Sequence, residues 1–261
     1  MMQQEMQKRG ILSNAVLKNI AYITMFIDHF FAVVYDPLVQ RLQMAGYEIW
    51  NVQQTYLAGR AVGRVSFILF AYLAVEGIRH TRSTKAYLMR LGVFALVSEI
   101  PFDLAFSGTC FNWGSQNVFF TLFLGVLVLT VKNGASAAAV LAGCLAAYAF
   151  RTDYRFMGVL LIFAFYHTRE KRLSVQMLAA GCVMLFGTWG TNCLRYADSY
   201  SLTYLLRFSM REMYGLFAFI PIALYHGRKG RQLPKAVCYG FYPVHLLLLY
   251  FAAAMLLGGA Y

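Results

Sequence analysis

The sequence predicts an all-α, polytopic membrane helical bundle of about nine transmembrane helices with its amino terminus in the cytoplasm. Two observations carry the fold class, and a third carries the orientation. Hydrophobic residues make up 60% of the 261 residues and charged ones only 13%, against roughly 45–50% and about 25% in soluble domains. The apolar residues come in long runs separated by short polar breaks, and the mean hydropathy is +0.55. Such a chain lacks the charge to cover a water-facing surface, so lipid is its solvent. Lysine and arginine alternate between the breaks, which sets direction.

The runs span 15–36, 60–79, 86–106, 116–132, 134–150, 154–167, 174–191, 211–226 and 236–258. A spanning helix needs about 20 mostly apolar residues, and membrane strands are only about 9–11 long with strict alternation, so run length argues for helices. The sixth run is short and reads as spanning, re-entrant or shielded by its neighbours. No linker or low-complexity stretch interrupts residues 1–261, which read as a single domain. The polar segment 1–14 has no apolar core before a small-residue cleavage site, so no removable signal peptide is expected.

Of the 23 basic residues, fifteen fall on the amino-terminal side, among them Lys8, Arg9, Lys18, Arg79, Arg82, Lys85, Arg90, Lys132, Arg228 and Lys229. Eight fall on the other side, all of them arginines. This asymmetry explains the net charge of +12 through cytoplasmic loops facing anionic lipid, without nucleic acid. Of the five cysteines, Cys110 and Cys193 share the outer side, where a disulfide between them is chemically allowed. No Walker loop, GxGxxG, GxSxG or metal-ligand spacing is present, and no metal is expected.

Several ionisable residues lie inside apolar runs, where each costs roughly 2.5–3.5 kcal/mol on insertion scales. Asp28 and His29 lie in the first run. A histidine with an acidic companion is a general-base candidate, and the competing reading is a packing histidine bonded between helices. Adjacent helical residues point about 100° apart, so Asp28 is expected to pair with an arginine such as Arg64. Arg60 and Arg64 open the second helix, and Glu99 and Asp103, also four apart, end the third beside Pro101. Two acids facing two arginines read as a structural network or as the lining of an acceptor pocket. Asn117 opens the fourth run at that level, and His245 in the last run is a second candidate proton carrier. Pro101 and Pro243 are expected to kink or break their helices. On the opposite side, Arg79, His80, Arg82, Lys85 and Arg90 form a cluster matched to phosphate oxygens, although the positive-inside rule alone would also produce it.

The segments LKNIAYITMFIDHF, GRVSFILFAYLAVEGIRHTRSTKAYLMRLGVFALVSEIPFD, NVFFTLFLG, DYRFMGVLLI, ALYHGRKG and FYPVHLLLLY follow one another from Leu17 to Tyr250. Together they resemble the TraX family, named for the conjugal-transfer protein that acetylates the amino terminus of F-pilin. A more distant similarity links the chain to membrane acyltransferases with a histidine in an early helix.

The resemblance implies a multi-pass acyltransferase of the bacterial cytoplasmic membrane, drawing on acetyl-CoA. On that reading the Arg79–Arg90 cluster docks cytoplasmic acetyl-CoA, with Arg228 and Lys229 as further contacts. His29 is the base, Asp28 orients it, and Arg64 or Asn117 stabilises the oxyanion, with Glu99 in the same site. The acceptor is an amine or hydroxyl at the outer side, such as a peptide amino terminus, an amino sugar or a glycan. Intramembrane charges also fit a proton-coupled transporter or flippase, and a non-catalytic envelope assembly factor is a third reading.

Overall fold

The computed structural model describes residues 10–131 and 137–258. Lys8, Arg9, Lys132 and most of the polar opening segment therefore lie outside the described residues. Within them every regular element is a helix. The α-helices are α1 (Asn14–Phe30), α2 (Asp36–Met44), α3 (Val52–His80), α4 (Thr84–Ser107), α5 (Val118–Thr130), α6 (Ala137–Ala149), α7 (Arg155–Thr168), α8 (Leu173–Tyr196), α9 (Leu202–Ser209), α10 (Phe219–Ala223) and α11 (Lys235–Leu256). A π-helical turn, Phe31–Tyr35, joins α1 to α2, and a 3₁₀ segment, Met210–Ala218, joins α9 to α10. Serine and asparagine side chains start the helices where the sequence supplies them: Ser13, Ser83, Asn117 and Ser201 each accept an early backbone N–H.

Among the described residues, all nine apolar runs coincide with helical structure, with revised ends. The first continues past residue 36 to Met44, and the second begins eight residues early, at Val52. The eighth is 3₁₀ through Ala218 and then α over Phe219–Ala223, rather than one helix. Neither Pro101 nor Pro243 ends its helix: α4 continues to Ser107 and α11 to Leu256. Among the described residues, four helical stretches are long and apolar enough to cross a membrane: Asn14–Met44, Val52–His80, Leu173–Tyr196 and Ala236–Leu256. Helices α5, α6 and α7 have 13, 13 and 14 residues, or about 20 Å at 1.5 Å per residue. The short α7 is shielded: Met157, Val159, Leu161, Ile162 and Phe165 are buried in the core, and it packs against α3, α5, α6 and α8.

The first and last long helices lie side by side in one register. Tyr22 donates its hydroxyl to Cys238 O, His29 meets His245 and Arg41 bonds Leu257 O, each pair 216 residues apart. The helices thus run in the same direction. Helix α3 runs antiparallel to α1, with Tyr22 near Phe70 and Asp28 near Arg60. Two backbone clasps fix the ends. Leu12 pairs with the Leu224–His226 stretch, and Asn14 N and Ala15 N bond Arg228 O and Lys229 O. At the far end Gln116 pairs with Arg151 and Asp153.

Candidate functional site

The site starts where α1 crosses α3. Gly59 and Gly63 are one turn apart on α3 and leave room for the neighbour. A Cβ on Gly59 would sit 2.1 Å from the Phe31 ring, and one on Gly63 would sit 2.0 Å from Asp28 Oδ1. Small residues at this spacing let helices approach closely, and here they bring in a carboxylate. Arg60 donates to Asp28 Oδ2 at 2.8 Å and also reaches Asp28 O. Arg64 pairs instead with Glu212 of the 3₁₀ segment, at 2.9 Å. The expected Asp28–Arg64 pair is therefore replaced by two pairs, because the Gly63 contact sets Asp28 level with Arg60. Asp28 Oδ1 and Glu212 Oε2 are buried without a hydrogen-bond partner.

One position after Asp28, His29 faces α11. Its Nδ1 lies 2.7 Å from Nε2 of His245, with the two rings within 4° of parallel. His245 Nδ1 lies 2.8 Å from the carbonyl oxygen of Phe241. Both histidines are buried. The group within hydrogen-bond distance of the His29 ring is thus His245, not Asp28, whose Oδ2 is taken by Arg60. The π-turn follows directly after Phe30, and such turns recur at functional sites.

A cavity of about 320 Å³ opens beside these groups, bordered by Asp28, His29, Arg60, Arg64, Asp153 and Tyr242 among others. Asp153 comes from the loop before α7. The Gln116 clasp holds it, as do Thr121 Oγ1, which donates to Asp153 O, and the Tyr154 ring, stacked on Phe67 at 3.7 Å. With Arg60 matched by Asp28 and Arg64 by Glu212, Asp153 is the remaining carboxylate on the cavity wall. Burial pushes its carboxyl up to about 6, against the pull of Arg64.

A larger cavity of about 700 Å³ lies toward the other end. Lys18, His80, Arg82, Arg90 and Lys229 border it, along with Tyr22, Tyr87 and Tyr239. Arg90 Nε donates to the Tyr239 hydroxyl at 3.3 Å, and Lys18 Nζ donates to Gln232 at 2.7 Å. Both cavities are bordered by Met25, Phe70, Val118 and Tyr242, which form a shared wall.

Of the cationic cluster read from the sequence, His80, Arg82 and Arg90 face this cavity, and Arg79 and Lys85 do not. Arg79 pairs with the buried Glu76 at 3.0 Å and borders a separate 60 Å³ pocket. Glu99, Asp103 and Asn117 border neither cavity. Asn117 is fully buried: its amide donates to Ala95 O and to Glu99, and its Oδ1 caps α5. Asp103 accepts from Asn112 N at 2.8 Å. These acids hold the loop between α4 and α5 rather than meeting Arg60 and Arg64. All five cysteines are free, so Cys110 and Cys193 are not bridged.

Three participants escaped the sequence reading, Asp153, Glu212 and Tyr242, and Lys18 was read only as one of the basic residues of the amino-terminal side. The Gly59/Gly63 pair also went unread, although its four-residue spacing was a visible signal for close helix approach.

The profile of the TraX protein family matches residues 13–253. The chain belongs to the TraX family. A relative, the probable fimbrial assembly protein FimC, serogroup H1, of Dichelobacter nodosus, is 27% identical over 248 residues, covering 89% of this chain and 92% of the relative. No solved structure matches the chain significantly.

Proposed function

We propose that this TraX-family chain is a multi-pass acyltransferase of the bacterial cytoplasmic membrane, with nine spans and a cytoplasmic amino terminus. It moves an acetyl group from cytoplasmic acetyl-CoA to an amine or hydroxyl at the outer side. One observation carries the reading: two cavities of opposite character, toward opposite ends of the bundle, share a wall beside His29. The basic-lined cavity suits the phosphates of the donor, since arginine forks and lysine match phosphate oxygens. The smaller cavity holds the base and the acceptor.

In the proposed step, His29 takes the proton from the acceptor as its nitrogen or oxygen attacks the thioester carbonyl. The new C–N or C–O bond forms, the C–S bond breaks, and the proton passes from the imidazolium to the departing sulfur. The products are the acetylated acceptor and free CoA. Arg64 stabilises the oxyanion. An α-amino group titrates near about 7.7–8.0, within reach of a histidine base, and Asp153 favours the approach of a cationic amine before it sheds its extra proton.

The test uses the purified full chain in lipid nanodiscs with acetyl-CoA and a peptide bearing a free amino terminus. Free CoA and acetylated peptide should appear in equal amounts. His29→Ala should lose at least about 10²-fold of this turnover, the lower end of what a positioned base contributes. Full residual turnover would remove His29 as the base. A second reading, a non-catalytic assembly factor, is favoured by the relative's name as a fimbrial assembly protein. It predicts no CoA release from the wild-type chain with any amine or hydroxyl acceptor.

A further inference from the structure

We infer that His245 is a positioning residue that fixes the tautomer of His29 and leaves its Nε2 as the basic nitrogen facing the smaller cavity. The kinetic part of this inference rests on the acyl-transfer reading; the tautomer itself does not.

The assignment follows from the hydrogen-bond network, read from its fixed end. The carbonyl oxygen of Phe241 can only accept. His245 Nδ1, 2.8 Å away, therefore carries a proton. A neutral imidazole has one N–H and one lone pair, so His245 Nε2 is an acceptor. His29 Nδ1, 2.7 Å from that lone pair, is then the donor. The remaining nitrogen of His29, Nε2, is left with its lone pair. His29 borders the smaller cavity and His245 does not, so His245 acts through His29 and not on substrate.

Packing holds both rings in this arrangement. The His29 ring meets Phe106 and Tyr242 edge-on at 5.4 and 5.9 Å, and the His245 ring stacks on Phe241 at 4.8 Å. The dyad has the logic of a base oriented by a third group, with one difference. The orienting partner is neutral, so the resting pair adds no charge to the bundle interior, where an extra carboxylate would be costly. When His29 takes a proton at Nε2, its Nδ1–H still donates to His245, which spreads the positive charge without moving a second proton.

Two measurements test this on the full chain in detergent or nanodiscs. Nitrogen-15 NMR of histidine-labelled protein, with the His29 signals assigned by difference against His29→Asn, should show His29 protonated at Nδ1 and bare at Nε2. A His29 protonated at Nε2 overturns the inference whether or not the protein is an enzyme. In the kinetic arm, His245→Phe should lower kcat about 10²-fold with KM for acetyl-CoA unchanged. His245→Gln, whose amide oxygen can accept from His29 Nδ1, should recover at least about tenfold of that loss. Wild-type kcat in His245→Phe overturns the positioning role, as does equal loss in both variants when each elutes as the wild type does. Absence of turnover in the wild type refutes the acyl-transfer reading instead, and the NMR result then decides the tautomer alone.

Discussion

The two cavities are built on opposite principles. The larger one has one carboxylate at its edge, Glu76, which is paired with Arg79 and lies beside His80; its other charges are Arg82 and Lys229, both exposed, and Lys18 and Arg90, which among the described residues hydrogen-bond the neutral Gln232 and Tyr239. The smaller one takes its charge from residues held in pairs, Arg60 with Asp28 and Arg64 with Glu212. Cations without carboxylate partners are available to a ligand. Cations matched by buried acids hold geometry and respond to charge that develops beside them. On the proposed function the contrast separates donor binding from chemistry: one end should weaken without loosening the fold, and the other should not.

Breaking the smaller cavity should have the largest effect. Arg60→Gln leaves Asp28 buried without its partner. The cost should be about 3 kcal/mol, the lower end for breaking a buried pair, read as a fall in the unfolding midpoint in detergent. Gly63→Ala should follow at about 1–3 kcal/mol, because its methyl group collides with Asp28 Oδ1. An unchanged midpoint in either variant would mean that α1 and α3 can separate freely. In the larger cavity, Arg82→Gln combined with Arg90→Gln should leave the midpoint in place and raise KM for acetyl-CoA about tenfold, some 1.4 kcal/mol. A fall in kcat at constant KM would instead put these arginines in the chemistry.

The smallest effect concerns pH. Burial raises the Asp153 carboxyl to about 6, so it is ionised above that pH and neutral below it. KM for an amine acceptor should rise a few-fold as pH falls through 6, and Asp153→Asn should remove that dependence while leaving His29 in place. A pH profile identical in Asp153→Asn and the wild type would exclude Asp153 from acceptor capture.

The helices were legible because the apolar runs are long and their breaks are charged. The winding was less so. Nothing in MREMYGLFA distinguishes 3₁₀ from α, and the tight turn there accompanies Gly215 packed against Arg64 O and Ile68, a contact made in three dimensions. The site was legible to the level of residue type. Charges at Asp28, His29, Arg60 and Arg64 drew notice because lipid makes them expensive. Their pairing was hidden, since Arg60 and Arg64 share a helix face and the approach of α1 decides which of them meets Asp28. Glu99 and Asp103 were misjoined to these arginines for the same reason: side and spacing agreed, but Asn117 and Asn112 took the carboxylates first. Asp153 and Glu212 lie outside the long apolar runs or at their edge, so no cost of burial marked them in the sequence.

The shared register of the first and last long helices bears on how the protein is made. A chain leaving the ribosome presents Asp28 and His29 long before His245 exists, because 216 residues separate the two imidazoles. Arg60 arrives early enough to shelter Asp28. His29 waits for nearly the entire chain. Until α11 is made, the nascent protein has no assembled dyad. The dyad is therefore assembled only when α11 packs beside α1, and on the proposed function a chain stalled short of α11 would lack it.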